Sequence, residues 1–138
     1  MRREPFPLLS VLPAELRDVI LDFHWDVELL HSLELPGIEL PMAELEWHLR
    51  LPFWAYRGRP FRVTPMQVAA EPCVYAEQYA RTMAADLQWP LDVVRREDGR
   101  ITILDGVHRL LRAYLDGVES VRVRVLEWEE LDAIAVRR

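Results

Sequence analysis

Residues 91–126 constrain the fold more tightly than any other part of the chain. Leu91-Asp92-Val93-Val94-Arg95 and Ile101-Thr102-Ile103-Leu104 are β-prone runs, and Glu97-Asp98-Gly99-Arg100 between them carries the Asp-Gly signal of a hairpin. Asp105-Gly106 then breaks the pattern. Beyond it Val107, Leu110, Leu111, Tyr114 and Leu115 recur at the spacing of one helical face, predicting a helix over 107–115. Asp116-Gly117 supplies its C-terminal stop. Val121, Val123 and Val125 alternate with Arg122 and Arg124, predicting a strand over 120–126 with one apolar and one wet face. Strands and a helix so closely interleaved predict a mixed α+β domain.

The rest of the chain gives weaker signals. Leu16, Val19, Ile20 and Phe23 follow Pro13 at helical spacing and predict a helix over 13–24. Pro36 and Gly37 interrupt an extended stretch over 33–40, which reads as an edge strand. Pro41 opens a short helix with Met42, Leu45 and Leu49 on one face. Residues 52–60, Pro-Phe-Trp-Ala-Tyr-Arg-Gly-Arg-Pro, read as an aromatic, arginine-bearing loop. Thr64-Pro65-Met66-Gln67 has the form of a capping box. A longer helix is expected over 72–87, with Tyr75, Tyr79, Met83 and Leu87 on one face and Pro90 as the stop. A closing helix is expected over 128–136, capped and solubilised by Glu127, Glu129, Glu130 and Asp132.

A length of 138 residues suits one domain with a real hydrophobic core. No apolar run is long enough to span a bilayer, and no secretory leader is read after Met1-Arg2-Arg3-Glu4-Pro5. Cys73 is the single cysteine, so an intrachain disulfide is excluded and a reduced, cytoplasmic setting is expected. The net charge of −6 speaks against nucleic acid as a general partner, because that affinity comes from neutralised phosphates. His24, His31, His48 and His108 form no recognised metal spacing, and no protein metal site is expected among them.

The chemistry concentrates at Asp105-Gly106-Val107-His108-Arg109. A glycine between strand and helix lets the backbone turn sharply and approach a ligand closely. The N–H groups of the first helical turn have no partner inside the helix, and the helix dipole makes that end attractive to an anion. His108 and Arg109 add side-chain donors, and an arginine can grip a phosphate with two parallel bonds. The simpler reading is a helix capped by Asp105, with His108 and Arg109 solvated.

The segment from Pro90-Leu91-Asp92-Val93-Val94 to Ile103-Leu104-Asp105-Gly106-Val107-His108-Arg109-Leu110-Leu111-Arg112-Ala113 resembles the ParB/sulfiredoxin superfamily. The likeness covers about 72–126, is suggestive over 35–45, and does not reach the first 28 residues. It implies a single ParB/sulfiredoxin-like domain over 29–138, a small mixed sheet with flanking helices, preceded by a helical extension over 1–28. In that family the Gly-x-His-Arg turn binds nucleotide phosphates. The resemblance therefore assigns Gly106, Val107, His108 and Arg109 to a nucleotide (ATP, ADP or CTP) with Mg2+, and Asp105 to positioning it or facing the ion.

The family's chemistries differ. Sulfiredoxins carry a reactive cysteine where this chain has Val107, and Cys73 lies outside the motif, which speaks against that activity. Partition proteins continue into a helix-turn-helix domain and a dimerisation tail for which 138 residues leave no room. The free serine kinases of this fold have a similar Asp-Gly-His-His-Arg turn and an N-terminal glutamate base, for which Glu44 and Glu46 are the candidates here. Ordinary exposed helix glutamates are the simpler reading of both. The leading expectation is a nucleotide-dependent small-molecule phosphotransferase, a kinase or nucleotide hydrolase with a small acceptor. The alternative is a non-catalytic module that binds a nucleotide or partner, and a DNA-associated partition relative ranks below both. Residues 47–54, Trp-His-Leu-Arg-Leu-Pro-Phe-Trp, suit either a pocket lining that stacks on a base or a packed loop.

Overall fold

The computed structural model describes residues 2–138. Two single turns of 3-10 helix, Leu9–Val11 and Ala14–Leu16, precede α1 (Val27–Ser32), whose N-cap Asp26 accepts from the N–H groups of Glu28 and Leu29. β1 (Gly37–Pro41) leads into α2 (Met42–Leu45) and a 3-10 turn, Glu46–Arg50. A hairpin of β2 (Trp54–Tyr56) and β3 (Arg59–Val63) is followed by α3 (Pro65–Ala70) and α4 (Ala76–Met83). Next come β4 (Leu91–Arg95), β5 (Ile101–Asp105), α5 (Val107–Leu115), β6 (Ser120–Glu127) and a final 3-10 helix, Trp128–Ala133. The architecture is α+β, as the sequence predicts.

The main sheet has the order β1-β6-β4-β5, with β4 and β6 parallel and the other pairs antiparallel. α5 carries the chain from the β5 edge back over β4, so β6 can lie beside β4 in parallel. Its spacing comes from the sequence: Leu110, Leu111 and Ala113 are buried against Leu91, Val93, Val123 and Val125. Full burial of each leucine stabilises by roughly 1.5–3 kcal/mol. The C-terminal stop is a Schellman turn, with Val118 N–H on Ala113 O and Gly117 N–H on Tyr114 O. Thr64 and Gln67 make the expected capping box at α3.

The opposite face of the sheet is covered as well. Val94 and Leu126 pack with Leu21, Phe23, Leu30, Leu131 and Ile134 from the two ends of the chain. The second face of β6 is therefore wet only in part: Arg122 is exposed, but Leu126 is fully buried and Arg124 lies under α1. This is why four consecutive residues of β4, Leu91 to Val94, are all buried.

Four expectations about local structure are corrected. No long helix spans 13–24, although Leu16, Val19 and Phe23 are buried. Arg96 and Arg100 take the carbonyls of Val19 and Asp18 at 2.7 and 2.6 Å, and isolated bridges join Pro5 to Phe23 and Trp25 to Ala135. Non-local partners thus use backbone groups that a helix would have paired. Residues 52–60 are not an open loop but most of a hairpin, turned by Arg57 and Gly58 at φ 51 and 76. The 72–87 helix is shortened to α4, because Asp86 accepts from Gln88 N–H and starts a turn, and Met83 and Leu87 stay exposed. The closing helix is a 3-10 segment, released by Ala135 as it bridges to Trp25. No helix among the described residues is long and apolar enough to cross a membrane.

Candidate functional site

Asp105, Gly106, Val107, His108 and Arg109 all line one cleft of about 490 Å³, together with Phe53, Trp54, Arg81, Asp86 and Trp89. Gly106 is the N-cap of α5 at φ 118, a left-handed conformation, and no side chain caps the helix. A Cβ at Gly106 would lie 2.9 Å from Leu91 Cγ, so the turn lies flat against β4 and the site has no room for a side chain there. The N–H groups of the first turn therefore open toward the cleft without a protein acceptor, the arrangement that favours an anion.

The two motif side chains are more committed than free donors would be. Arg109 donates to the Pro90 carbonyl through Nη1 at 2.5 Å and to Asp105 Oδ2 through Nη2 at 3.0 Å. It holds the turn together as well as facing the cleft. His108 stacks on Trp54, with ring centroids 4.3 Å apart and planes 12° apart, and its Nε2 meets Gln78 Oε1 at 2.8 Å. With that oxygen accepting, Nε2 carries the hydrogen and Nδ1 is left an acceptor; flipping the Gln78 amide reverses both roles. Burial, reinforced by the Arg81 charge, lowers the His108 pKa to about 4. The ring is neutral near pH 7 and adds no positive charge to the cleft.

A β-bulge decides what stands behind the turn. Asp92 pairs with Asp105 while Val93 pairs with Ile103, so Leu104 is the extra residue in β5. Without it, Asp105 would be out of phase with Asp92. With it, Asp105, Asp92 and Arg124 form a row across three adjacent strands, because Asp92 is also in register with Arg124. α1 adds His31, whose Nε2 lies 2.9 Å from Asp105 Oδ2 and 3.6 Å from Asp92 Oδ2. Arg124 ties α1 down by donating to Leu30 O at 2.9 Å. Its Nε lies 2.9 Å from Asp92 Oδ1, but the N–H is not aligned on that oxygen, so each buried atom has a charge contact without a hydrogen bond. Burial holds the Asp92 carboxyl above the usual range against the opposing pull of Arg124.

His31, Asp92, Arg109 and Arg124 line a second cavity of about 420 Å³, which shares Trp89 and Arg109 with the first. One ligand atom from each of His31, Asp92 and Asp105 lies within 4.8 Å of the others, which makes them the group able to hold a metal ion among the described residues. Spacing in the sequence could not reveal it, since the three come from α1, β4 and β5 and the bulge sets their phase.

Comparison with family models, with curated proteins and with solved structures finds no match to this chain. The site therefore rests on its own geometry.

The two glutamates expected as bases are placed elsewhere. Neither Glu44 nor Glu46 lines the cleft. Glu44 is in α2, beyond the Pro41–Ser120 end of the β1/β6 ladder, whereas Arg124, beside Asp92, pairs with Gly37 at the other end. Four residues of strand separate the two levels, roughly 13 Å. In the 47–54 segment, Phe53 and Trp54 do line the cleft, whereas His48 is core. His48 is fully buried, its Nδ1 donates to Leu45 O at 2.8 Å, and its Nε2 accepts from Ile103 N–H at 3.2 Å. Trp89, 60% exposed at the junction of both cavities, is among the lining residues that sequence reading missed, with Arg81 and Asp86. The local signal for Trp89 is a large aromatic just before Pro90, next to Asp86 and Gln88.

Proposed function

We propose that this chain binds a nucleotide, with its phosphates at the N-terminus of α5 and its base against the aromatic wall of the cleft. The observation that carries this is the uncapped first turn of α5, opening at Gly106 into a cleft with Trp54, Trp89 and Phe53 on its walls. About 490 Å³ lies within the range of roughly 300–1,000 Å³ typical of small-ligand sites. Backbone N–H groups supply the anion site, Trp89 offers an exposed stacking face, and Arg81 supplies a charge at the rim. The strand, left-handed glycine and helix over β5 and α5 also suit the ParB/sulfiredoxin resemblance.

Asp105 and Asp86 both line the cleft, and either would offer a carboxylate to a hard cation such as Mg2+, which takes one or two carboxylates plus phosphate oxygens. Bound there, the ion would neutralise phosphate charge. For phosphoryl transfer, Asp105 is the carboxylate at the turn and the candidate to orient or deprotonate an acceptor hydroxyl. One observation favours the non-catalytic alternative: Asp105 Oδ2 already binds both Arg109 and His31, which commits that oxygen to holding the turn.

The test is calorimetry with ATP, ADP, CTP and GTP in the presence of Mg2+. The folded wild type should bind at least one, and His108→Ala combined with Arg109→Lys should weaken it tenfold or more, with circular dichroism confirming the fold. A folded wild type that binds none overturns the proposal. Turnover that Asp105→Asn abolishes identifies a phosphotransferase or hydrolase; binding without turnover identifies a regulatory module.

A further inference from the structure

The hairpin of β2 and β3 builds a separate basic hollow. Tyr56, Arg57, Arg59 and Arg62 enclose a space of about 560 Å³. A regular strand would send residues three apart to opposite faces. Here the ladder pairs Trp54 with Val63 and Tyr56 with Arg59, so one residue on β2 faces three on β3. Phe61, at φ 57, absorbs the excess and breaks the alternation. Arg59 and Arg62 can therefore border the same hollow. The Arg57-Gly58 turn places the third guanidinium at the rim, 5.3 Å from the centre of the Tyr56 ring.

These three arginines are exposed and, among the described residues, none is paired with a carboxylate. Acidic residues are not scarce, with 23 Asp and Glu against 17 basic residues. Arg81, Arg95, Arg109, Arg112 and Arg124 have acidic partners; Arg17, Arg50 and Arg122 also lack one among the described residues, but Arg57, Arg59 and Arg62 are gathered round one hollow. Three like charges gathered round one concavity repel one another, and a multiply charged anion would remove that repulsion.

We infer that this hollow binds a ligand carrying two or more phosphoryl groups. Guanidinium forks match phosphate oxygens, three of them can surround a tetrahedral anion, and the Tyr56 hydroxyl can add a donor. The site shares no residue with the α5 turn and does not depend on the nucleotide reading. Such phosphates can come from a free polyphosphate-type molecule or from the backbone of a single-stranded nucleic acid.

Calorimetry at low salt with inorganic tripolyphosphate and with a ten-residue oligothymidylate separates the sources. The variants are Arg59→Gln/Arg62→Gln and Arg59→Lys/Arg62→Lys; among the described residues neither arginine side chain makes a hydrogen bond or ion pair whose loss would threaten the fold. The wild type should bind at least one probe, the glutamine pair should lose tenfold or more, and the lysine pair, which keeps the charge but not the fork, should lose less than the glutamine pair. Binding of tripolyphosphate alone assigns a free phosphorylated ligand. Binding of the oligonucleotide, with a salt slope that falls by about 1.4 in the glutamine pair, assigns a nucleic-acid backbone. Binding of neither probe, equal binding by the glutamine pair, or equal binding of poly-glutamate overturns the inference.

Discussion

Two histidines, the fully buried His48 against β5 and the half-buried His108 in the first turn of α5, have their pKa lowered to about 4 chiefly by the same cause, and they do different things. His48 spends both ring nitrogens on backbone groups, the Leu45 carbonyl and the Ile103 N–H. Its ring is packed between Trp47 and Phe53. His108 spends one nitrogen on Gln78 and forms part of a cleft wall. A lowered pKa therefore reports desolvation, and only the unspent side of the ring distinguishes a site from a core.

The largest effect that sharpens this contrast is expected for His48→Ala. It leaves the Ile103 N–H and the Leu45 carbonyl unpaired and opens a cavity, a loss of about 3–5 kcal/mol in chemical denaturation. A loss below 1 kcal/mol would break the contrast.

Acid comes next. Both rings are held neutral in the folded chain, and the unfolded chain titrates near 6.5, so the unfolded chain binds more protons in between. Stability is complete above about pH 6.5 and falls as pH drops toward 4, by on the order of 3 kcal/mol for His48 alone. Denaturation curves at pH 7 and pH 4.5 check it. His48→Gln and His108→Gln should each remove part of the difference, His108→Gln the smaller part because its half-buried ring is better screened by solvent.

Gly106→Ala acts at the turn between β5 and α5. The new methyl meets Leu91 and the left-handed backbone is strained, a cost of about 1–3 kcal/mol, and nucleotide affinity should fall with it. The smallest stability effect is expected for His108→Ala, about 1–2 kcal/mol from one hydrogen bond and the Trp54 stack, with a disproportionate loss of nucleotide binding. Equal stability losses for His48→Ala and His108→Ala would erase the distinction.

What could be read in the sequence was local. The β4/β5 hairpin, α5 with its Gly106 start and Gly117 stop, and the Thr64 capping box depend on residues within a few positions of one another. The segment over 13–24 does not, because its carbonyls are claimed by Arg96 and Arg100 from far along the chain. The site divides in the same way. The turn proposed to hold phosphate is a contiguous motif. Its supporting row is not, since Asp105 joins Asp92 and Arg124 only through the unpaired Leu104. Glu44 and Glu46 follow the first strand in sequence order, which does not record their distance from the turn along β6.

The His48 bond to Ile103 has a consequence for the chain's solubility. β5 is an edge of the main sheet, and edges of this kind invite pairing with a second molecule. A neutral imidazole occupies one outward N–H and packs the adjoining segment over it. Protonated, that ring can no longer accept, and the edge loses its guard. Acid should therefore drive self-association through β5 before it unfolds the rest, with light scattering rising ahead of the loss of circular dichroism.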